Sequence, residues 1–326
     1  MRYKDTEYTY ISAKVRAMEA SLVGRDMLDR MIAAEDTDAA AAYLRECGLE
    51  LSGLRPAERE NVLIGELGRI LSEIEKNAPS PNVFAFFRYP YDCSNAKAII
   101  KCRARGIDTE DMLFSVGTVS EKDIVSGFDK LPENMRAAAR EAEKAYAETK
   151  NPQLIDFILD RACYADMEKC AEQSGIEFVK NIVAARADMT NFMMTLRVLR
   201  MECGEYGESM LKEALLPGGK IGSSAFLRAF ADGEEGIIAA LARGGYSALA
   251  EKLTVGISLC TAEKLCDNEK TEQLKAAKYK TYGIEIPVAY IAAVEAEIQN
   301  IRIVLAGKDA GIAQSVIVER TRDSYV

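Results

Sequence analysis

Three stretches of the sequence repeat one polar pattern, whose residue types suit either acid–base chemistry or the packing of helices. Each copy has an acidic residue, an asparagine three positions later and an apolar run with a basic residue. The copies begin at Asp92-Cys-Ser-Asn95, Asp188-Met-Thr-Asn191 and Glu297-Ile-Gln-Asn300. Because residues at i and i+3 share one helix face, each acid should lie beside its asparagine. The asparagines are 96 and 109 positions apart, a spacing that predicts one helical unit used three times.

Carboxylates can act as general acids or bases or hold a metal, so a carboxylate enzyme is one interpretation of this pattern. That interpretation predicts a pocket with several acids of raised pKa. The other interpretation is a polar packing contact, since an asparagine inside a helix bundle is normally hydrogen-bonded. The recurrence of Asp92, Asp188 and Glu297 at equivalent positions favours packing. We therefore predict no catalytic, cofactor-binding or metal-binding residues among them.

Basic residues follow the asparagines at two fixed positions, although neither position is basic in all three copies. Two positions after the asparagine stand Lys97, Met193 and Arg302. Six positions after it stand Lys101, Arg197 and Ala306. The four basic residues are predicted to belong, with the acids and asparagines, to a packing or interface surface.

The composition excludes several kinds of site. The chain has 326 residues and contains neither histidine nor tryptophan. Without histidine it cannot form a Ser-His-Asp triad, a Cys-His nucleophile pair or a His-containing zinc site. The net charge of −9 gives the chain no overall attraction for nucleic-acid phosphates. The charge therefore predicts no nucleic-acid partner. The missing histidine makes an enzyme less expected, although it leaves catalysis by carboxylate, lysine, cysteine or tyrosine open, and we predict no small-molecule substrate.

One segment, Pro217-Gly-Gly-Lys220, resembles the glycine-rich loop that cradles phosphates. A phosphate loop needs glycine where this chain has Ala214, and serine or threonine where it has Ile221. The residues before the segment do not read as a buried strand. We interpret the segment as a linker.

The cysteines and the first residues of the sequence indicate the cellular compartment of the protein. The eight cysteines, at positions 47, 93, 102, 163, 170, 203, 260 and 266, include no pair with C-x-x-C spacing. Most stand in apolar helical patterns, where free cysteine acts as a small core residue. The first residues show no signal-peptide pattern, and no apolar run reaches the ~20 residues of a membrane span. These features predict a reducing, cytoplasmic environment.

A helical period dominates the whole chain. Apolar residues at Leu63, Leu67, Ile70 and Ile74 follow the 3.6-residue repeat and predict a helix over 57–76. Proline in the first turn and glycine at the end predict a second helix, from 89 to 106. No convincing run of strands is present. The sequence therefore predicts an all-α fold made of three related units, with boundaries at 1–114, 115–208 and 209–326.

Two further helical predictions concern the ends of the chain. In the helical stretch 8–33, small residues at Ala17, Ser21 and Gly24 form a line that would let another helix backbone approach closely. At the other end, a short helix is predicted over 316–325.

With their flanks, these stretches resemble the C-subunit family of archaeal and bacterial V/A-type rotary ATPases, which is related to the d-subunit of the eukaryotic vacuolar enzyme. The matching segments are 8–19 (YTYISAKVRAME), 91–106 (YDCSNAKAIIKCRARG), 282–290 (YGIEIPVAY) and 297–308 (EIQNIRIVLAGK). No single segment is as specific as a zinc finger. Their order and spacing together span nearly the whole chain, whose length also fits the family.

The resemblance implies three helical domains arranged as a pseudo-threefold funnel. Members of this family sit on the cytoplasmic face of the membrane proteolipid ring, receive the lower end of the central shaft and couple its rotation to the ring. It therefore implies a non-catalytic, peripheral rotor subunit without cofactors. Its partners would be the D- and F-type shaft subunits and the proteolipid ring of a complex that transports protons or sodium ions.

Composition alone fits a second interpretation equally well. A cytoplasmic helical-repeat scaffold for unrelated protein partners would show the same helices, charge and repeats. The resemblance alone disfavours it.

Overall fold

Helices account for every regular element in the part of the chain that the structure describes. This computed structural model describes residues 4–109, 112–201 and 204–326. In chain order the α-helices are α1 Thr9–Met18, α2 Arg25–Ala33, α3 Thr37–Tyr43, α4 Pro56–Asn77, α5 Tyr89–Arg105, α6 Glu121–Ser126, α7 Glu133–Thr149, α8 Pro152–Ser174, α9 Glu177–Arg200, α10 Gly204–Ala214, α11 Ser223–Ala231, α12 Gly233–Arg243, α13 Ser247–Ala250, α14 Leu259–Leu274, α15 Glu285–Asp309 and α16 Gln314–Arg320. The predicted all-α class is confirmed.

The described residues divide into two compact units. Unit 1 combines the described part of Met1–Pro81 with Cys260–Val326, and unit 2 is the described part of Asn82–Leu259. The first and second copies of the repeated pattern lie in unit 2, on α5 and α9, and the third lies in unit 1, on α15. The three predicted domains and their funnel arrangement stay predictions.

Local sequence explains where the long helices begin and end. Pro56 occupies the first turn of α4, where its missing N–H costs nothing, and Glu58 accepts a hydrogen bond from the Arg55 backbone N–H at 2.8 Å. The α5 helix ends at Gly106, which adopts a left-handed conformation with φ of 65°. Both helices match their predictions closely.

In unit 1, α15 packs against α1, α2, α3 and α4. Its residues Ile291, Ile301 and Val304 have no exposed surface. In unit 2, α8 packs against α5, α7 and α9, and α9 also packs against α10, α11 and α12. The helices that carry the repeated pattern are therefore central elements of each unit.

The N-terminal prediction needs correction. The stretch 8–33 is interrupted by a 3₁₀ turn at Glu19–Ser21, and α2 starts only after Gly24. Ala17 and Ser21 are exposed, so they do not form the predicted line of close helix packing. The buried side of α1 is instead formed by Ile11, Ser12 and Val15, since these face the rest of unit 1.

The C-terminal prediction is also wrong in part. The last helix ends at Arg320, and the chain continues in an extended conformation from Thr321, where ψ is 141°. A side chain of α15 binds the backbone of Arg322, as described below, and this contact replaces the helical hydrogen bonds.

Among the cysteines in the described residues, five are buried and Cys260 is exposed. Cys47 is half-buried, and Cys203 lies outside the described residues. The prediction that most act as core residues is therefore confirmed for those that the structure describes.

Candidate functional site

The acids and asparagines of the repeated pattern form hydrogen-bonded contacts, here called clamps, that hold a distant segment of backbone against a helix. Asp92, Asn95, Asp188 and Asn191 have no exposed surface, and Asn300 is only 2% exposed. Buried polar side chains require hydrogen-bond partners. In this structure the partners belong to segments that are distant in sequence from the helix that carries the acid and the asparagine.

The asparagine makes the same contact in all three copies. Its Oδ1 accepts the backbone N–H of one residue, and its Nδ2 donates to the C=O of that same residue. The residue held is Phe114 for Asn95, with both distances 2.8 Å. It is Leu216 for Asn191, at 2.8 and 2.9 Å. These two hydrogen bonds resemble the pair that one strand residue exchanges with its neighbour in a β-sheet, and they fix an extended residue beside the helix.

In the third copy, Asn300 holds Arg322 in the same way. The Arg322 N–H lies 2.8 Å from Asn300 Oδ1, and Asn300 Nδ2 lies 3.2 Å from the Arg322 C=O. The Arg322 guanidinium also donates to Asp267 at 2.9 Å. The extended C-terminal residues of unit 1 thus occupy the place that a loop occupies in the two copies of unit 2.

The aspartate of the first copy extends the clamp along its loop. Asp92 accepts the N–H and the hydroxyl of Thr118, at 3.0 and 2.6 Å, and the N–H of Val119 at 3.1 Å. These residues lie four and five positions after Phe114. The loop is therefore bound at two points by two side chains one helical turn apart.

The aspartate of the second copy does the same. Asp188 accepts the N–H groups of Lys220 and Ile221 at 2.9 and 3.0 Å. These residues also lie four and five positions after the one that the asparagine holds. The third donor is the hydroxyl of Tyr246, at 2.8 Å.

A glycine makes each of these close approaches possible. Gly117 and Gly219 each stand three positions after the residue that the asparagine holds. A Cβ at either position would overlap Oδ1 of the neighbouring aspartate. Sequence reasoning missed both glycines as partners of the acids, although their matched positions were a usable signal.

Burial and hydrogen bonding act in opposite directions on these aspartates. Burial raises the pKa of Asp92 and Asp188 above the ordinary value, because the charged form loses its hydration. The hydrogen bonds from each loop favour the charged form and oppose this rise. The hydrogen bonds from each loop therefore stabilise the charged form of the aspartate that they contact.

These contacts also explain the Pro217-Gly-Gly-Lys220 segment. The N–H groups of Lys220 and Ile221, which a phosphate loop would aim at its ligand, donate to Asp188 instead. The segment is a loop held inside unit 2 by α9.

The third acid behaves differently. Glu297 lies on the same face of α15 as Asn300, but its Oε2 is buried and has no hydrogen-bond partner within the described ranges. Burial raises the pKa of Glu297 to about 8, despite a hydrogen bond from the backbone of Val23. The extended C-terminal residues therefore do not close this clamp through the acid.

The basic residues pair with acids on neighbouring helices. Lys97 lies 2.5 Å from Asp160, and Lys101 lies 2.6 Å from Asp156, both on α8. In unit 1, Arg302 donates from Nε to Glu60 of α4 at 2.8 Å. These pairs join helices within each unit.

Arg197 of the second copy lies on the exposed side of α9. Within their own units, Lys97, Lys101 and Arg302 form ion pairs with acids on neighbouring helices. The role of the whole set as a partner interface stays a prediction.

No three His, Cys, Asp or Glu side chains in the described ranges come together as a metal ion would require. Every helix in the same ranges falls short of the length and apolar character that a membrane crossing needs.

The fold and the clamps together define an all-α protein whose central helices each hold an extended segment by one repeated contact. Residues 11–320 match the family described as the ATP synthase (C/AC39) subunit. Because the match covers most of the chain, this protein belongs to that family, as the sequence resemblance predicted.

Two relatives align almost end to end. The chain is 22% identical to the C-subunit of the V-type sodium ATPase of Enterococcus hirae, over 98% of this chain and 99% of the relative. It is also 22% identical to the C-subunit of the A-type ATP synthase of Thermococcus onnurineus, over 99% of this chain and 92% of the relative. These matches support a subunit of a rotary ATPase.

Proposed function

We propose that this protein is a non-catalytic central-stalk subunit of a V/A-type rotary ATPase. It would link the central shaft, made of D- and F-type subunits, to the membrane proteolipid ring, and would transmit torque for ATP-coupled proton or sodium transport. The observation that carries this proposal is the family match over residues 11–320, together with relatives of nearly the same length.

The clamps support the mechanical part of the proposal. A torque-transmitting subunit must not yield at the loops between its helices. In unit 2, Asp92 accepts three hydrogen bonds from its loop and Asp188 accepts two from its loop, and the neighbouring asparagine adds two more in each case. Buried hydrogen bonds to a charged group are among the stronger ones in proteins, so these loops resist displacement.

The proposal includes the arrangement that the sequence predicted. The three repeat domains would form a pseudo-threefold funnel that sits on the cytoplasmic face of the membrane. Contact with the membrane would occur only through the proteolipid ring, and the shaft would enter the opposite mouth.

Co-purification from the native host tests this proposal. The chain is tagged, the membranes are solubilised gently, and the proteins that accompany it are identified. Recovery of the shaft subunits and the proteolipid ring, lost together when the complex is stripped from the membrane, is the expected result. A soluble partner set without ATPase subunits would overturn the proposal in favour of the scaffold interpretation.

A reconstituted complex tests the mechanical role separately. Gly219→Ala pushes the loop away from Asp188, whereas Gly222→Ala in the same loop meets nothing within 4 Å. We expect the first variant to assemble but to pump fewer ions per ATP hydrolysed than the second. Equal coupling in a pair that assembles equally well would argue against a role of the clamp in torque transmission.

A further inference from the structure

The unpartnered acid of unit 1 borders a cavity. Glu297 lines a cavity of 160 Å³, together with Tyr290 and Val294 on its own helix and Leu63, Glu66 and Arg69 on α4. Apolar side chains form much of the remaining wall: Met18, Leu22, Leu49, Ile70 and Ile298. The volume is close to that of an engineered apolar cavity that binds benzene, about 150 Å³. The space is therefore large enough for a small organic group.

Comparison with the other two copies shows what Glu297 lacks. Asp92 and Asp188 each accept three hydrogen bonds from their own chain. The Oε2 atom of Glu297 accepts none from the described residues, although it is buried. When Glu297 is ionised, this oxygen requires a donor from outside those residues, because leaving a buried charged oxygen unpaired costs free energy.

The charges around the cavity favour a cationic donor. Arg69 is paired with Glu66 through two hydrogen bonds of 2.7 Å, so its charge is already neutralised. Tyr290 lies in the field of three acids, Glu297, Glu66 and Glu19, and its pKa is raised by burial and by these charges. When Glu297 ionises, the wall therefore carries a net negative charge.

We propose that this cavity is a binding site for a primary ammonium group on an unbranched apolar stem. The ammonium would donate to Glu297 Oε2, and the stem would lie against Leu22, Leu63 and Val294. A lysine side chain and a free alkylamine share this chemistry, since both join methylenes to a strongly hydrogen-bonding head. The site does not depend on the proposed rotor role.

Binding should depend on pH through Glu297. The other titratable groups that face it from the surrounding elements are Glu19, Cys47, Glu66, Arg69, Tyr290, Asp323 and Tyr325. Because burial raises the pKa of Glu297 to about 8, the ionised fraction rises about tenfold between pH 7 and pH 9. The proton released goes to solvent, and the apparent affinity for an ammonium should rise by up to about tenfold over this range.

Calorimetric titration of the full chain with n-butylammonium chloride tests the proposal, with n-butanol as the uncharged control. We expect saturable binding of butylammonium that strengthens from pH 7 to pH 9, and at least about tenfold weaker binding of butanol. Equal binding of butanol, or no saturable binding of butylammonium, would overturn the proposal.

Variants locate the site. Glu297→Gln should weaken butylammonium binding about tenfold or more and remove its pH dependence, whereas Glu295→Gln, an acid on the same helix outside the cavity wall, should leave both unchanged. Leu22→Phe alters a half-exposed wall residue and should reduce binding without changing the charge. Unchanged binding in folded Glu297→Gln would place the ammonium elsewhere and overturn the assignment.

A last comparison distinguishes the two sources of the ammonium group. Nα-acetyl-lysine N-methylamide presents the same stem on a peptide backbone. If it binds like butylammonium, the cavity accepts a lysine side chain of a partner chain. If only butylammonium binds, the site takes a free amine, because the peptide backbone is excluded.

Discussion

The signature helices of unit 2 and unit 1 contain the same residue types but use the acid in different ways. The aspartates on α5 and α9 each accept three hydrogen bonds, all from one loop for Asp92 and two from a loop plus one from the Tyr246 hydroxyl for Asp188. On α15, however, Glu297 keeps a buried oxygen without a partner in the described chain. The asparagine, in contrast, holds one backbone residue identically in all three. The asparagine therefore defines the repeated contact, and the acid is adapted to what lies beside it.

Replacing each acid by its amide should reveal this difference most strongly. Asp188→Asn replaces one carboxylate oxygen by an NH₂ group that faces a backbone N–H donor, and it removes the charge that the other donors stabilise, so we expect a loss of about 3 kcal/mol in the free energy of unfolding. Glu297→Gln breaks no contact of Oε2 and should not lower that free energy by more than about 0.5 kcal/mol at pH 6, where the wild type has already lost part of the stability linked to the Glu297 proton. Urea unfolding followed by circular dichroism measures both.

Amide hydrogen exchange gives an independent check on this pair of variants. Exchange at Lys220 or Ile221 should accelerate in Asp188→Asn, because the amide keeps only one oxygen and one of these two N–H groups loses its acceptor. Equal losses of stability in the two variants would contradict the proposed difference between the units.

The glycines that lie against the aspartate carboxylates, Gly117 and Gly219, provide the next test. Gly219→Ala and Gly117→Ala should each lower the free energy of unfolding by about 2 kcal/mol, since the new Cβ overlaps the carboxylate that binds the loop. Gly222→Ala is the matched control, with nothing within 4 Å of its Cβ, and should cost less than about 0.5 kcal/mol. Thermal denaturation of the three variants compares them. Similar costs at all three positions would mean that overlap with the carboxylate does not determine the effect, because the backbone entropy of the unfolded chain favours alanine at each of them.

The pH dependence of stability should come from unit 1 through Glu297. Its folded pKa of about 8 exceeds the ordinary value of 4.5, so the folded protein keeps a proton that the unfolded chain releases. The contribution of the Glu297 proton to the free energy of unfolding is fully present below about pH 4.5 and is lost as the pH rises to about 8. Because the residue is partly exposed, we expect a loss of about 1.5 kcal/mol, less than the full shift implies.

Urea unfolding at a series of pH values measures this loss. The amide side chain has no proton to release, so Glu297→Gln should not show this fall of the free energy of unfolding with pH. A slope that is unchanged in Glu297→Gln would assign the pH dependence to other groups, for example Asp92 or Asp188, whose pKa values are also raised.

Sequence reasoning predicted the helices well and their partners poorly. The apolar period and the caps located α4 and α5 to within one residue at most of the observed ends, because these signals act over a few positions. The interpretation of Asp188 and Asn191 as packing residues rested on their repetition. The segments that these residues hold lie 19 to 25 positions beyond the asparagines, and no local signal links positions so far apart.

The sequence also did not show that Glu297 of the third copy differs from Asp92 and Asp188 in its hydrogen bonding. Glutamate and aspartate carry the same charge, and the pattern treated Glu297 as equivalent to Asp92 and Asp188. The difference arises because the held segment of unit 1 is an extended end rather than a loop that offers N–H groups to the acid. Only the three-dimensional structure shows which backbone donors reach an acid.

The smallest expected difference between the two units is in the strength of their ion pairs. Lys97 keeps 20% of its side chain exposed beside Asp160, whereas Arg302 keeps 41% exposed beside Glu60. Double-mutant cycles on urea unfolding should give a coupling of about 1 kcal/mol for the first pair and about 0.5 kcal/mol for the second, because solvent screens the more exposed pair. Adding about 0.5 M salt should reduce the second coupling more than the first. A larger coupling for Arg302 and Glu60 would show that unit 1 depends on its ion pair where unit 2 depends on its clamps, and would reverse the order of the comparison.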